Sequence, residues 1–323
     1  MISTSRLIVG LFLNVEAWAI LLLNIFVLWC IIKSRLYANK DHSVYVLSGF
    51  NIASEICQLT LHVLYIGPSV VAGTWFFHGQ DSLGVTIIST VFLGLWYLGS
   101  LLQILFATNR FVVICFPTRT FFTRRSVVCL IGISVLCALA MVLYSQIFSP
   151  CCRITPDPRV FGYSYLVFPN QTTNPSMYYV DLPLDAGTSI YCGISYIALF
   201  GYVFKAGTKN SSAGRREIRC CIQFLLMFLT YSVAWLTFFV YPAFGIEAAE
   251  AYVVTPSLVV LNGGVNSIIY LILNKEVRHA ANQVLGREVF KESRSSLDPA
   301  HASSKNPQCS STSRPIYQSK QHA

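Results

Sequence analysis

Seven apolar runs of membrane-spanning length dominate the pattern of hydrophobic and polar positions along this chain. A helix of about 20 apolar residues crosses the hydrocarbon core of a bilayer, because it satisfies every backbone amide internally. The runs lie at approximately 8–32, 43–66, 83–108, 126–149, 186–204, 217–241 and 252–273. The pattern therefore predicts an all-α membrane protein, with a bundle of seven transmembrane helices that occupies residues 1–286.

The segment after the seventh run has the pattern of a short amphipathic eighth helix at the membrane surface. It covers residues 274–285 and combines apolar Val277 and Ala281 with basic Lys275, a combination typical of interfacial helices. Residues 287–323 are rich in Ser, Lys and Gln and contain few large apolar residues. We expect this last segment to be a disordered cytoplasmic tail.

Composition supports the membrane prediction, and the placement of basic residues predicts the orientation. Only 11% of the residues are charged, against about 25% in a soluble domain. Most Lys and Arg lie in the odd-numbered loops and after the seventh run, whereas Arg6, Arg153 and Arg159 lie on the opposite side. By the positive-inside rule, the N-terminus is extracellular and the C-terminus cytoplasmic. The net charge of +9 is thus a topology signal and does not indicate a nucleic-acid partner.

The loop between the fourth and fifth runs, about 150–185, is the longest connection and should be extracellular. Loops of this length in compact folds are usually functional, so we expect either a folded lid over a ligand entrance or a solvated connector. A glycosylation sequon, Asn-Gln-Thr, begins at Asn170. Cys151 and Cys152 lie in the oxidising compartment. Adjacent cysteines rarely bond to each other, and a bond to Cys192 is the other arrangement considered.

The third run ends in Asn109-Arg110-Phe111, and Pro117 follows seven residues after the arginine. This segment resembles the end of helix three in rhodopsin-like G-protein-coupled receptors, which carry D/E-R-Y and a proline at that distance. In those receptors the arginine is held inward at rest and then points into the cavity that accepts the G protein. The resemblance implies this role for Arg110. The alternative is an ordinary arginine that ends a helix on the cytoplasmic side.

The seventh run closes with Asn-Ser-Ile-Ile-Tyr, from Asn266 to Tyr270. This resembles the N-P-x-x-Y motif of the same receptors, and the amphipathic segment after it resembles their eighth helix. Asn266 should face the bundle interior, because an unpaired amide in hydrocarbon is costly. The resemblance implies that Tyr270 swings into the bundle when the helices rearrange.

Within this superfamily, the chain most resembles the nematode serpentine chemoreceptors of class X. These share N-R-F in place of D-R-Y, a cysteine after helix four, an aromatic-acidic outer loop and Glu-Ile at the start of helix six. The last two features match the segment from Tyr178 to Asp181 and the dipeptide at Glu217. Class T is the alternative, since its I-Y-L-x-L-N-K sequence matches residues 269–275. The resemblance implies chemosensation through a heterotrimeric G protein, at the plasma membrane of sensory cilia.

Several residues depart from the receptor pattern, and each departure leads to an expectation. Asn109 replaces an acid and cannot form an ion pair with Arg110, so Glu217, at the base of helix six, is a candidate for that role. Glu217→Gln should then raise basal signalling, and unchanged basal activity at equal surface expression would exclude the role. Ser267 replaces proline, which puts the helix-seven kink in doubt. The cysteine usual at the outer end of helix three would lie near Val85 and is missing, so the usual disulfide should be absent.

Glu55 is a carboxylate within the second apolar run. It should face inward, because a charge at the bilayer centre costs about 2.5–3.5 kcal/mol on insertion scales. The segment from Asn51 to Glu55 resembles the N-L-A-x-x-D sodium site of the receptor superfamily but is one residue short. Glu55 and Asn24 are therefore candidates for an ion or polar hub. A structural hydrogen bond from Glu55 to Asn24 or Asn266 is the alternative.

Other polar and aromatic side chains are candidates for a ligand pocket. Glu16 and His62 either line such a pocket or sit at the level of the lipid headgroups. Aromatic residues within the predicted helices belong either to the bundle core or to a pocket lining: Tyr97, Tyr144, Tyr196, Tyr231 and Trp235. Of these, Tyr97 and Trp235 are our pocket candidates.

These features predict a chemosensory receptor that binds a small extracellular ligand (an odorant, pheromone or peptide) and activates a heterotrimeric G protein. The chain lacks the H-E-x-x-H and G-x-S-x-G motifs, so we expect no enzyme activity, no metal and no cofactor. A seven-helix ligand-gated cation channel or a transporter is the alternative. Channels like the insect odorant receptors place their N-terminus inside the cell, and the placement of Lys and Arg argues against that orientation.

Overall fold

The computed structural model describes residues 4–38, 44–116, 121–149, 151–167, 173–205, 212–246 and 248–286, with backbone alone at 204, 212–221, 223 and 224. Seven of the described helices are long and apolar enough to cross a membrane. They are α1 (Thr4–Lys33), α2 (Val44–Ala72), α3 (Leu83–Cys115), α4 (Arg124–Phe148), α5 (Met177–Asp181 continued by Leu182–Lys205), α6 (Ser212–Ala243) and α7 (Val254–Leu273). A short helix, α8 (Lys275–Val284), follows. The predicted seven-helix bundle with an eighth helix is confirmed.

Contacts along the chain group residues 1–281 into one compact unit and residues 282–323 into a second. Of the second unit, the structure describes residues 282–286. The predicted disordered tail, 287–323, lies outside the described residues, as do the sequon at Asn170 and the proline at Pro117.

The outward face of α1 shows how the apolar pattern produces a membrane helix. Large apolar side chains recur every three or four residues on that face and remain exposed: Ile8, Leu11, Val15, Trp18, Leu22, Ile25, Trp29 and Ile32. The opposite face buries residues such as Leu13, Asn24 and Val27 in the bundle. In a helix, this spacing places one stripe against neighbouring helices and the other against lipid.

Helix α5 begins at Met177, although the sequence pattern predicted a loop up to about 185. Its first five residues, Met177–Asp181, form a π-helical turn, and the α-helix resumes at Leu182 with Pro183 as its second residue. Pro183 has no N–H to bond back into the preceding turn, and the wider π-helical turn directly before it accommodates the proline. The extension corrects the predicted loop and places Asp181 and Asp185 one turn apart on a membrane-spanning helix.

The outer loop contains a β-hairpin formed by β1 (Arg153–Asp157) and β2 (Gly162–Leu166). The strands are antiparallel, with Arg153 opposite Leu166 and Asp157 opposite Gly162. The part of the loop described at 151–167 is therefore folded, as the lid hypothesis required, and is not merely a solvated connector.

Helix α3 lies at the centre of the bundle and positions the site. It contacts α2, α4, α5 and α6, and its inward face carries Tyr97, Leu102 and Phe106, which are almost fully buried. Ser82 caps its first turn by accepting a 3.4 Å hydrogen bond from the Val85 amide, a group that lacks a partner within the helix.

Candidate functional site

A cavity lies between α3, α5, α6, α7 and the outer hairpin. It contains about 450 Å³ of space not occupied by atoms, part of which is open to solvent. Its apolar and aromatic walls are formed by Phe92, Leu93, Trp96, Ile154, Tyr163, Ala234, Trp235, Phe238, Phe239 and Val259, with Thr255 beside them. Two carboxylates, Asp181 and Asp185, complete the lining. A concave, mostly apolar site with a few convergent polar groups is typical of small-molecule binding.

Asp185 is the carboxylate at the meeting point of α3, α5 and α6. Its Oδ1 accepts hydrogen bonds from the Tyr231 hydroxyl at 2.6 Å, the Trp96 indole at 3.2 Å and the Ser100 hydroxyl at 3.5 Å. The side chain is only 4% exposed. Its Oδ2 accepts no hydrogen bond from any part of the chain that the structure describes, and Asp185 lines the cavity. Three donors on two helices, α3 and α6, thus orient one oxygen and leave the other available.

Asp181 lies one turn earlier on α5 and is 2% exposed. It accepts one hydrogen bond from the Tyr97 hydroxyl and another from Tyr165 in the hairpin, the latter at 2.7 Å. The Tyr97 hydroxyl also lies 3.0 Å from Ser145 on α4. Within the described ranges, neither Asp181 nor Asp185 pairs with a basic side chain. The two carboxylates therefore give the cavity a negative electrostatic character. The described groups that donate hydrogen bonds to these carboxylates are all neutral.

The hairpin is fixed over the cavity by hydrogen bonds from several elements. Side chains outside the hairpin donate to its backbone carbonyls: Arg6 to Pro158 at 3.1 Å, Trp75 to Pro156 at 2.9 Å and Gln146 to Ile154 at 3.2 Å. Within the hairpin turn, Arg159 pairs with Asp157 at 3.1 Å. The hydrogen bond to Asp157 raises the pKa of Arg159 above its ordinary value.

The structure joins Cys151 and Cys152 to each other in a disulfide, although bonds between adjacent cysteines were expected to be rare. Cys192 is a buried free thiol, so the alternative pairing is wrong. Val85, where the usual helix-three cysteine would lie, is fully buried. Among the described residues, no disulfide ties the outer loop to α3, and hydrogen bonds hold the hairpin.

His62 supports the cavity wall but does not line the cavity. Its Nε2 lies 2.5 Å from the Tyr163 hydroxyl, and its Nδ1 lies 3.0 Å from the Gln58 carbonyl. Tyr163 stacks on Phe92 with ring centroids 4.5 Å apart, and both rings line the cavity. Burial holds the pKa of Tyr163 well above its ordinary value, so its hydroxyl stays protonated and keeps this contact.

The other sequence-predicted pocket residues divide between wall, core and surface. Trp235 lines the cavity and donates to Ser189 at 2.8 Å. Tyr97 and Tyr231 are not among the lining residues and donate hydrogen bonds to Asp181 and Asp185, respectively. Tyr196 is buried in the core. Tyr144 is 37% exposed and is neither core nor pocket. Glu16 is not among the lining residues, and its Oε1 accepts a 2.9 Å hydrogen bond from Ser257 on α7.

The candidate polar hub lies between α1, α2 and α7. Asn24 donates a 2.8 Å hydrogen bond to the Gly263 carbonyl, and the Glu55 Oε2 lies 2.9 Å from where a Cβ on Gly263 would stand. Asn266 is buried, and neither its oxygen nor its nitrogen has a hydrogen-bond partner in the described ranges. Glu55 forms no hydrogen bond to Asn24 or Asn266 there. The structure therefore does not support the predicted structural hydrogen bond.

Near the C-terminal end of α7, Tyr270 joins this helix to α2. Its hydroxyl shares a hydrogen bond with Ser48, and its ring lies 6.4 Å from that of Tyr45. The Tyr45 hydroxyl in turn donates to Glu276 on α8 at 2.7 Å. These contacts fix the first turns of α2 and α8 and the last turn of α7 to one another.

The N-R-F segment lies near the C-terminal end of α3. Asn109 is buried, and its Nδ2 has no hydrogen-bond partner in the described part of the chain. Arg110 is half-buried. Phe111 meets Phe116 edge-on at 6.3 Å. The side chain of Glu217, proposed from the sequence to pair with Arg110, lies outside the described residues.

Comparisons with known proteins identify both the fold and the family. The model of the family described as "Serpentine type 7TM GPCR chemoreceptor Srx" matches residues 21–274, which is most of the chain. Among solved structures, the chain is similar to squid rhodopsin, with a TM-score of 0.72 and 13% identity, covering 97% of this chain and 90% of the rhodopsin chain. That likeness shows a rhodopsin fold. A comparison with curated proteins gives no match.

Proposed function

The chain belongs to the Srx family of serpentine chemoreceptors, a family of seven-helix G-protein-coupled receptors, and from this premise we propose that it binds a small extracellular molecule and activates a heterotrimeric G protein. The class X prediction is thereby confirmed over class T. Ligand binding, G-protein coupling and a position in the plasma membrane of sensory cilia belong to the proposal.

The observation that carries the proposal is the cavity under the hairpin. It is lined by α3, α5, α6 and α7, the helices that would have to move against one another to signal. Trp96 on α3 lies at the cavity, and Arg110 is 14 residues further along the same helix, about 21 Å at 1.5 Å per residue. One rigid element therefore connects the ligand cavity with the candidate G-protein contact.

The contacts at the cavity suggest how a ligand acts. Asp185 accepts hydrogen bonds from Trp96 on α3 and Tyr231 on α6, so a molecule bound there contacts the junction of three helices. A ligand shifts a receptor between two arrangements only through its different affinity for them. At the other end, release of Tyr270 from Ser48 would free α7 from α2. Asn109, Arg110, Phe111, Asn266 and Tyr270 are proposed as the switch.

The polar hub is proposed as an ion or water-binding element of the same switch. Glu55 and Asn24 both approach Gly263 on α7 and offer hard oxygen atoms of the kind that bind small cations. Bound there, a cation would join α1, α2 and α7 and stabilise one arrangement. Sodium dependence of basal activity that disappears in Glu55→Gln would support this role.

Epitope accessibility is the first test of the receptor orientation. One epitope is placed before Arg6 and another after Ala323, and both are probed on intact and then on permeabilised cells. The proposal expects the first to be accessible in intact cells and the second only after permeabilisation. The reverse orientation would contradict the proposal and favour the ligand-gated channel.

The alternative, a channel or a transporter, is tested by whether the response of the cells depends on G proteins. Responses of expressing cells to small molecules should disappear when heterotrimeric G proteins are inhibited. Currents or uptake that persist under such inhibition would favour a channel or a transporter.

A further inference from the structure

We propose that the ligand carries a protonated amine, and that its N–H groups donate to Asp185 in the cavity under the hairpin. This inference rests on the proposed receptor function and specifies the chemistry of its ligand. A compact organic ammonium with an apolar body is the class that the cavity fits.

The two carboxylate oxygens of Asp185 differ in their hydrogen bonds. Tyr231, Trp96 and Ser100 all donate to Oδ1, whereas Oδ2 accepts no hydrogen bond from the described residues. The side chain is more than nine-tenths buried and lines the cavity. A carboxylate oxygen that no protein group bonds, on a side chain that lines a cavity, can accept a hydrogen bond from a bound molecule, and an N–H from a cation would supply that bond.

Asp181 strengthens the attraction for a cation without competing for the same contact. Both of its oxygens are already engaged, Oδ1 by Tyr97 and Oδ2 by Tyr165. It lines the cavity one helical turn from Asp185. Two carboxylates in a low-dielectric site, with neutral donors alone around them in the described chain, make a positive ligand charge favourable and repel an anion.

The walls of the cavity suit an ammonium on an organic skeleton. Trp96, Trp235, Phe238 and Phe239 line it, and the Trp96 ring stacks against Tyr231 at 5.4 Å beside Asp185. Aromatic faces attract organic cations through their quadrupoles and also bury apolar carbon. A bare metal ion would gain nothing from these walls and would need several more oxygen ligands.

The requirement for N–H donors separates protonated amines from the alternatives. A quaternary ammonium could use the aromatic faces but could not donate to Oδ2. A neutral alcohol could donate, but it would leave the carboxylate charge uncompensated. A carboxylate ligand would add a third negative charge to Asp181 and Asp185.

The test measures binding to the purified full-length receptor through its midpoint of thermal unfolding, because binding to the folded state raises that midpoint. The probes are matched sets in which one skeleton carries an ammonium, a hydroxyl or a carboxylate. They are phenethylamine, phenethyl alcohol and phenylacetate; tryptamine, tryptophol and indoleacetate; and hexylamine, hexanol and hexanoate. We expect concentration-dependent stabilisation by at least one amine, and none by its alcohol or acid.

Variants of Asp185 test whether stabilisation by amines depends on this residue. Asp185→Asn keeps the size of the side chain and an oxygen for Tyr231 and Trp96 but removes the charge. It should weaken amine binding by about tenfold or more. Asp185→Glu keeps the charge and should retain part of the binding. Asp81→Asn removes an exposed outer acid and should leave binding unchanged, which controls for general attraction of cations.

Three results would overturn the inference. One is stabilisation by an alcohol or acid equal to that by its amine, and another is unchanged amine binding in Asp185→Asn. The third is the absence of stabilisation by any amine in a wild-type receptor that unfolds cooperatively. If Asp185→Asn does not fold, two measurements still test the inference. They are the comparison of amine, alcohol and acid on the wild-type receptor and the binding of amines to Asp185→Glu. The assay contains no G protein, so its failure is distinct from a failure of coupling.

Discussion

The hydroxyl of Tyr165 in the outer hairpin donates a 2.7 Å hydrogen bond to Asp181 on α5. The loop over the cavity is thereby attached to a carboxylate that lines the cavity. A ligand that contacts Asp181 or its neighbour Asp185 would therefore affect the position of the hairpin as well as the positions of the helices.

Replacing Tyr165 with Phe should loosen the hairpin. The change removes the donor and leaves Asp181 with one hydrogen bond fewer in a buried site, which costs about 1–3 kcal/mol. We expect a lower unfolding midpoint and faster hydrogen exchange in β1 and β2. Tyr178→Phe, at a tyrosine that is 56% exposed, is the matched control and should change neither. Equal exchange rates in the two variants would show that the bond does not hold the hairpin.

Reduction of the disulfide should not release the hairpin. The bond joins Cys151 to its neighbour Cys152 and closes almost no loop, so it removes little entropy from the unfolded chain. Wild-type protein in reductant and the double variant Cys151→Ser/Cys152→Ser should both keep slow hydrogen exchange in the hairpin. Fast exchange in either one would mean that the disulfide, not the hydrogen bonds from other elements, holds the loop.

Gly10 should be required for the packing of α1 against α2. A Cβ at this position would lie 2.9 Å from the backbone nitrogen of Val71 and 2.5 Å from its Cγ2. Since a backbone atom cannot move aside locally, Gly10→Ala should destabilise the bundle by about 1–3 kcal/mol. The matched variant Gly99→Ala adds a Cβ with nothing within 4 Å and should not lower the unfolding midpoint. Equal midpoints for the two variants would refute this packing argument.

Tyr270→Phe should raise basal signalling. The variant keeps the ring contact with Tyr45 but loses the hydrogen bond to Ser48, worth about 0.5–1.5 kcal/mol. An equilibrium between two helix arrangements would shift by roughly two- to tenfold away from the arrangement that contains the bond. The variant Ser48→Ala breaks the same bond from the other side and should act alike. Tyr202→Phe, an exposed tyrosine on α5, is the control. Basal activity equal to wild type, at equal surface expression, would exclude the switch role of this bond.

The seven-helix fold could be predicted from the sequence because a bilayer requires long apolar runs, whatever their neighbours. The positions of Arg110 and Tyr270 followed from motifs at the ends of two such runs, and both residues lie near the ends of α3 and α7. Their roles remain predictions.

The aspartates of the cavity were not recognised as candidates. Asp181 and Asp185 stand four residues apart, a spacing that places two side chains on one face of a helix. The proline between them favoured a loop, however, and the π-helical turn that accommodates it depends on packing. Their donors come from α3, α6 and the hairpin, so no local pattern marks the group.

Exposure was also hard to predict for aromatic residues in helices. Tyr144 and Tyr231 both occur in apolar runs, but Tyr231 turns inward to Asp185 whereas Tyr144 is exposed. In a membrane helix, both the lipid-facing stripe and the core stripe are apolar, and the pattern alone does not distinguish them.

The central claim is that this chain is a receptor that activates a G protein through Arg110, and the most direct test is guanine nucleotide exchange. Purified receptor is reconstituted in vesicles with a set of heterotrimeric G proteins, and exchange is measured for wild type, Arg110→Ala and Arg125→Ala. Arg125 is an exposed arginine at the start of α4. We expect the wild type and Arg125→Ala to accelerate exchange on at least one G protein, and Arg110→Ala to lose that activity at equal folding. Acceleration that survives in Arg110→Ala, or none by the wild type on any G protein, would contradict the account.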